Sequence, residues 1–308
     1  MLDNIPKILY KYRCWHDNYH QRVLTHQEVF LSSPSGLNDP FDASLPFRYN
    51  PEELNEGNIY LKLMEISRKH WPDISELERQ KRAFDEQHSG KFDDGEFWKD
   101  QHEKLKANLH ASFGLLSLTS KADNLLMWAH YANSHRGFCV GFDRDILFSV
   151  VKGTLGPVSY QEDFPFVPMF PPANEPDTTM ISMLNTKSPH WAYEDEFRLS
   201  RHGGSNKVFQ LPPEGIIEVV LGASMNADDR KAIITLIDEQ LPHVRIFEAK
   251  ISLENLGEPV MLVRSPTFTK MLSGVMVTAS KPLKRIKGAI SGFLRGGYLA
   301  AFSAIHLM

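Results

Sequence analysis

The segment Met127–Phe142, MWAHYANSHRGFCVGF, crowds two histidines, a Trp and a Tyr into what reads as a helix-to-strand turn. On a helix, Met127, His130 and Tyr131 fall three and four residues apart and share a face. Gly137 follows where the chain must turn into a strand, so His135 and Arg136 sit in the turn. An imidazole at such a place can donate, accept or shuttle a proton near neutral pH. The same residues also have a reading without chemistry. His130 is then a helix C-terminal histidine satisfied by backbone, and Trp128 is core. A zinc site is not expected. His130 and His135 are five apart, no CxxC pair or HExxH is present, and tetrahedral zinc needs three or four ligands in fixed geometry.

Three further groups bear chemistry. In WAYEDEFR, Trp191–Arg198, Glu194 and Glu196 are two apart and share a face if the segment is a strand. Two carboxylates on one face repel, and such pairs bind a cation, orient a hydroxyl or share a proton. The alternative is a solvent-facing edge strand with Arg198 and Lys187 as counter-charges, although Trp191, Tyr193 and Phe197 make full exposure unnatural. In SSPSGLNDPFD at 32–42, Asn38 and Asp39 precede Pro40 and are turn formers that bond their own backbone. Their chemical role would be to hold a polar loop beside a site. Ser117, Thr119 and Ser120 end a strand, where hydroxyls bond ribose or phosphate or simply terminate pairing. Neither GxxxxGK[ST] nor a strand-bound GxGxxG occurs, so the usual phosphate cradle for ATP or Rossmann-bound NAD is missing.

The elements that must position these groups follow from periodicity and turn chemistry. Strands are expected at Ile8–Arg13, Val29–Ser32, Phe113–Thr119, Phe138–Phe142, Pro157–Tyr160, Glu194–Leu199, Gly215–Leu221 and Val244–Lys250. Gln21–Phe30 reads as a connection. Helices are expected at Ala122–Asn133, capped by Asp123, at Met180–Lys187 and at Asp228–Leu241. Residues 51–106 are rich in Glu, Lys, Asp and Gln and read as two or three amphipathic helices, either a solvated insert or a lid. The prolines of 163–178 forbid a regular element. The expected class is therefore α+β: a mixed or antiparallel β core of two small sheets, with a helical insert and flanking helices. One domain spans 1–265, and 266–308 forms a basic, apolar tail without a defined structure.

The bulk composition agrees with a globular chain. Of 308 residues, 42% are apolar and 23% charged, and the formal net charge is −4. That charge is too mild to imply a nucleic-acid partner. The tail from Lys270 onward holds Lys281, Lys284, Arg285, Lys287 and Arg295 and no acid, and could touch an anionic partner. With only Cys14 and Cys139, a disulfide framework is excluded. Two buried free thiols, no secretory leader and no apolar run of membrane-spanning length suggest a cytoplasmic protein without stable membrane insertion.

These pieces in this order resemble one bacterial family, the domain of unknown function 2971. The matching motifs are LYKYR at 9–13, FLSSPSGLNDPFD at 30–42, LMWAHYANSHRGFCVGFD at 126–143 and VSY at 158–160. Lys187 with HWAYEDEFRL up to Leu199 and GASMNADDRKAIITLI at 222–237 complete them. The family name implies no activity. A second resemblance does: Arg13, then Ser117-Leu118-Thr119-Ser120, then Glu194-Asp195-Glu196 is similar to the arginine–serine–glutamate pattern of ADP-ribosyltransferases. Ser-Leu-Thr-Ser is one residue longer than the pattern, and SSPS at 32–35 is a rival.

That second resemblance implies NAD as co-substrate, lying in a cleft between two small sheets. Arg13, with Tyr12 beside it, would hold the NAD phosphate, and Ser117 and Thr119 the nicotinamide ribose. Trp128 or Tyr131 would stack the nicotinamide, with Asn38, Asp39 and His135 completing the walls. Glu196, helped by Glu194 and His130, would stabilise the oxocarbenium-like state. The implied protein is an NAD-consuming transferase, a toxin or phage-defence effector acting on nucleic acid or protein. Two other readings stand beside it: a metal-assisted nuclease or hydrolase using Glu194, Glu196 and His130, and a non-enzymatic ligand-binding module.

Overall fold

The computed structural model describes residues 4–44, 48–170, 182–250 and 261–264. In chain order the elements begin with β1 (Ile8–Arg13), α1 (Asn18–Thr25) and β2 (Glu28–Leu31). Next come α2 (Glu56–His70), α3 (Glu76–Gln87), α4 (Gly95–Ser112), β3 (Phe113–Thr119), α5 (Leu125–Tyr131), β4 (Phe138–Asp143) and α6 (Arg144–Val151). The order continues with β5 (Thr154–Pro157), β6 (Ser159–Tyr160), β7 (Thr186–Lys187), β8 (Glu196–His202) and β9 (Lys207–Gln210). It closes with β10 (Ile216–Leu221), α7 (Ala227–Gln240), β11 (Arg245–Lys250) and β12 (Met261–Arg264). The chain divides into two compact units. The first draws on 4–32, 114–158 and 190–264, and the second on 33–113 and 159–189.

The first unit is built on one eight-stranded sheet of order β12-β11-β10-β4-β1-β3-β8-β5. Among the registered pairs of this sheet, only β10 and β11 run parallel, with α7 as their connection. The class is α+β, as the sequence implies. The β core is one large sheet with two short two-stranded ladders, β2–β9 and β6–β7, rather than two small sheets. The reason is β1. It pairs with β4 along its whole length, Ile8↔Asp143 to Arg13↔Phe138, and with β3 at Tyr10↔Thr119. It thereby fuses strands that could otherwise have formed two layers.

Strand alternation gives the sheet two distinct faces. Leu9, Leu116, Leu118, Phe138, Val140, Leu199, Val219 and Ile246 point to one side. There they pack with Val23 and Leu24 of α1, Leu147 and Val151 of α6, and Ile233 and Ile237 of α7. Full burial of each such side chain contributes about 1.5–3 kcal/mol. The opposite face carries Tyr12, Cys139, Val220 and Ala249, covered by Trp128 and Ala132 at α5. Most expected strands are found within one or two residues of the expected bounds. The exceptions are β5, β7, β9 and β12, which have no counterpart among the expected strands, and β8, which ends three residues beyond the expected Leu199. Of the expected connection at 21–30, residues 21–25 belong instead to α1, whose N-cap Asp17 accepts from the backbone N–H of Tyr19 and His20, and 28–30 to β2. Helix α6 and its cap Asp143 were not foreseen either.

Helix α5 is shorter than 122–133. Its cap is Asn124, which accepts from Leu126 and Met127 N–H at 3.0 and 3.2 Å, and not Asp123. It ends at Tyr131 because Asn133, Ser134 and His135 all adopt positive φ, +47°, +52° and +66°. Each such residue costs about 1–2 kcal/mol when it is not glycine. Backbone bonds hold the turn: Ser134 N–H to Ala129 O, His135 N–H to Trp128 O and Gly137 N–H to Ala132 O.

In the second unit, the acid-rich stretch forms α2, α3 and α4, with Leu63, Met64 and Ala83 as a small core. Buried Arg79 ties α2 to α3 by donating to Ser67 Oγ, Trp71 O and Ile74 O. Of the helix expected at Met180–Lys187, residues 182–184 are helical and Thr186–Lys187 is β7, while 180 and 181 lie outside the described residues. The proline-rich segment is irregular as far as Phe170, apart from a bridge between Tyr49 and Val167. The 266–308 tail also lies outside the described residues. No helix among the described residues is long and apolar enough to cross a membrane.

Candidate functional site

The elements of the first unit gather one set of the expected residues at α5 and the turn before β8. That turn, Pro189–Glu194, is a 3-10 helix and not a strand. Glu194 and Glu196 therefore do not project as neighbours on one strand face, because Asp195 between them has φ +46°. Each carboxylate has a partner. Glu194, buried, accepts from Tyr131 Oη at 2.6 Å. Glu196, also buried, is held by Arg198 through Nε at 2.9 Å and Nη2 at 2.8 Å. Glu196 is engaged in a buried ion pair within β8.

The α5 end and the turn are laced together. Asn124 Nδ2 donates to Tyr193 O at 2.6 Å, so one side chain both caps α5 and fixes the turn. Ser120 Oγ donates to Asp195, and Lys121 Nζ lies 3.7 Å from the same carboxylate. Against Glu194 and Tyr131 lies a row of rings. The His130 centroid is 6.3 Å from that of Tyr131 and 6.1 Å from that of Tyr193, and Tyr193 is 6.1 Å from Trp191. His130 is exposed, while Tyr131, Trp191 and Tyr193 are half-buried.

Trp128 plays a different part from the one expected. It is fully buried, so its ring is not available to stack a ligand. Its indole N–H donates to Ala122 O at 2.9 Å, and Tyr12 meets it edge-on at 5.1 Å. Tyr12 donates its own hydroxyl to Lys121 O at 2.8 Å and is buried, which pushes its phenol pKa up. Tyr12 and Trp128 therefore form the base under α5. His135 stacks on Trp128 at 6.3 Å, its buried Nδ1 has no hydrogen-bond partner among the described residues, and burial lowers its pKa.

Arg13 is not brought to Glu196. By alternation it projects on the side of Leu9 and α1, whereas Tyr12 and Glu196 lie on the α5 side, opposite Leu199. Ser117 and Thr119 share the α5 side, because Leu116 and Leu118 fill the other. The Ser117 carbonyl accepts from Lys11 Nζ at 2.6 Å, and Thr119 Oγ1 accepts from Lys121 N–H at 3.1 Å. Asn38 and Asp39 belong to the second unit. There Asp39 Oδ1 accepts from Phe41 N–H at 2.9 Å, as a turn-former does.

Sequence reasoning did not assign a part to three contributors. Asn124 left a signal, since Asn before an apolar helical run is a favoured cap. Trp191 and Tyr193 were seen only as neighbours of the carboxylates, because nothing in the sequence shows a 3-10 turn bringing them beside His130. Among the described residues, no group of three or more His, Cys, Asp or Glu is placed to hold a metal ion. Cys139 is buried and its thiol pKa is pushed well up by burial, while Cys14 is half-buried rather than buried.

The site is thus a ring-and-carboxylate cluster on an α+β sheet, framed by α5 and the turn into β8. Residues 127–199, which hold both of its halves, match the family model described as Protein of unknown function (DUF2971). No curated protein and no solved structure matches the chain.

Proposed function

We propose that the ring cluster binds the planar ring of a nucleotide, with NAD as the first candidate, and that Glu194 takes the part the sequence assigned to Glu196. The observation that carries this is the row Trp191–Tyr193–His130–Tyr131, at spacings of 6.1–6.3 Å, beside the carboxylate that Tyr131 holds. Half-buried aromatic rings offer flat area to a base or a nicotinamide. A neighbouring carboxylate favours a ligand that is cationic, as the nicotinamide of NAD is, or that becomes cationic at the ribose as the glycosidic bond breaks. The Tyr131 hydroxyl orients that carboxylate before any ligand arrives.

The reading departs from the arginine–serine–glutamate pattern, since Arg13 and Glu196 serve elsewhere. A metal-assisted hydrolase built on Glu194, Glu196 and His130 finds less support, because these residues do not form a ligand set. The test is titration of the purified protein with NAD by calorimetry, alongside an assay of nicotinamide release with candidate nucleic-acid and protein acceptors. Saturable binding that Tyr193→Ala weakens, with release abolished by Glu194→Gln, is the expected result. Binding without release identifies a non-enzymatic module. If NAD does not bind, or if both variants behave as wild type, the proposal fails.

A further inference from the structure

Arg13 ends β1 on the face of the sheet away from the ring cluster, and among the described residues its guanidinium forms no hydrogen bond and no ion pair. Arginine is seldom withdrawn from water without a partner, because the loss of hydration has to be offset by a counter-charge. The residue is half-buried, and burial pushes it down to about 10. The acid that acts on it is Asp17, whose carboxylate is engaged in capping α1 at 2.8 Å from Tyr19 N–H and 3.0 Å from His20 N–H.

The His20 ring reaches back from α1 to the residue that follows Arg13 and lies 3.9 Å from the Asp17 carboxylate. Its Nδ1 accepts from Cys14 N–H at 3.2 Å, so the neutral ring carries its proton on Nε2 and can donate from there. Burial lowers the His20 pKa, Arg13 and Lys11 lower it further, and Asp17 opposes them. The Arg13 guanidinium and a ring donor thus lie beside a single, already engaged carboxylate.

We infer that Arg13 and His20 form a binding site for a tetrahedral oxyanion of the phosphate type on the α1 side of the sheet, separate from the ring cluster. An arriving anion would accept from the guanidinium, which is planar and suited to two parallel bonds, and from the His20 ring. It would also supply the negative charge that favours the imidazolium, so binding takes up a proton. Asp17 opposes the anion and limits its affinity.

The experiment is calorimetric titration of the full chain with inorganic phosphate, with a phosphate monoester (AMP), and with sulfate, whose charge is constant over the pH range used. Wild type is expected to bind saturably in the millimolar range or below. Arg13→Gln weakens this roughly tenfold or more. Asp17→Asn, which keeps a helix cap, tightens it. Sulfate affinity rises from about pH 7.5 to about pH 5.5, and His20→Gln flattens that rise. AMP binding with the same dependence on Arg13 identifies an esterified phosphate as the ligand. Its failure beside inorganic phosphate identifies the free ion. Absence of saturable binding by wild type overturns the site, as does unchanged binding by Arg13→Gln. Should Arg13→Gln not fold, an Asp17→Asn variant that binds no tighter than wild type overturns it as well.

Discussion

Replacing Trp128 by Phe separates a structural base from a ligand-stacking surface. The indole N–H bond to Ala122 O at 2.9 Å is lost, and the carbonyl is left without that donor, which costs about 1 kcal/mol. The phenyl ring keeps the edge-on contact with Tyr12 but leaves part of the indole volume empty in a fully buried position, about 1–2 kcal/mol more. The sum is about 2–3 kcal/mol. For a unit of this size that lowers Tm by about 5–10 °C. Urea unfolding followed by far-UV circular dichroism gives the stability, and NAD titration at a temperature where both proteins are folded gives the binding. The expected pattern is lost stability with nearly unchanged binding. Wild-type stability with lost binding would refute the assignment of Trp128 to the base.

The remaining expectations are briefer. A Cβ at Gly137 would lie 2.1 Å from the Arg13 carbonyl, so Gly137→Ala must push β1 and β4 apart. A loss of several kcal/mol in chemical denaturation is expected, whereas Gly95→Ala, with open space around it, should be neutral or slightly stabilising. In a thiol titration of the native protein, Cys14 should react first and Cys139 only on unfolding, because burial keeps Cys139 protonated. His20 is held below its ordinary value near 6.5, chiefly by burial. The unfolded chain thus binds a proton that the folded chain refuses, and stability falls as pH drops below about 6.5. His20→Gln should reduce that slope in a pH series of denaturation midpoints.

The sequence carried the strands best. Ile8–Arg13 and Phe113–Thr119 have the bounds expected from their apolar content and turn signals. It carried α1 poorly, since NYHQRVLT has only Val23 and Leu24 to bury and no long apolar stripe. Alternation along β1 puts Arg13 and Tyr12 on opposite faces, which the expectation of one site for both did not take into account. The spacing of Glu194 and Glu196 misled, because it implies a common face only if the backbone is extended. Asp195 at positive φ breaks that condition, and nothing in YEDEF signals a left-handed Asp. The engagement of Glu196 by Arg198 follows the counter-charge alternative read from the same segment, since residues two apart on a strand are neighbours on one side.

The central position of β1 has a consequence for how the protein is made. Its two partners, β3 and β4, are separated from it by about a hundred residues or more, so Ile8–Arg13 leaves the ribosome long before either can receive it. At typical elongation rates the delay is on the order of ten seconds. During that time Leu9 and the aromatic side chains of β1 have no sheet to join. Sheet closure then waits on contacts distant in sequence, which slows folding relative to a helical chain of equal stability. Nascent chains stalled before residue 113 would present this strand unpaired, and chaperone dependence should be concentrated there.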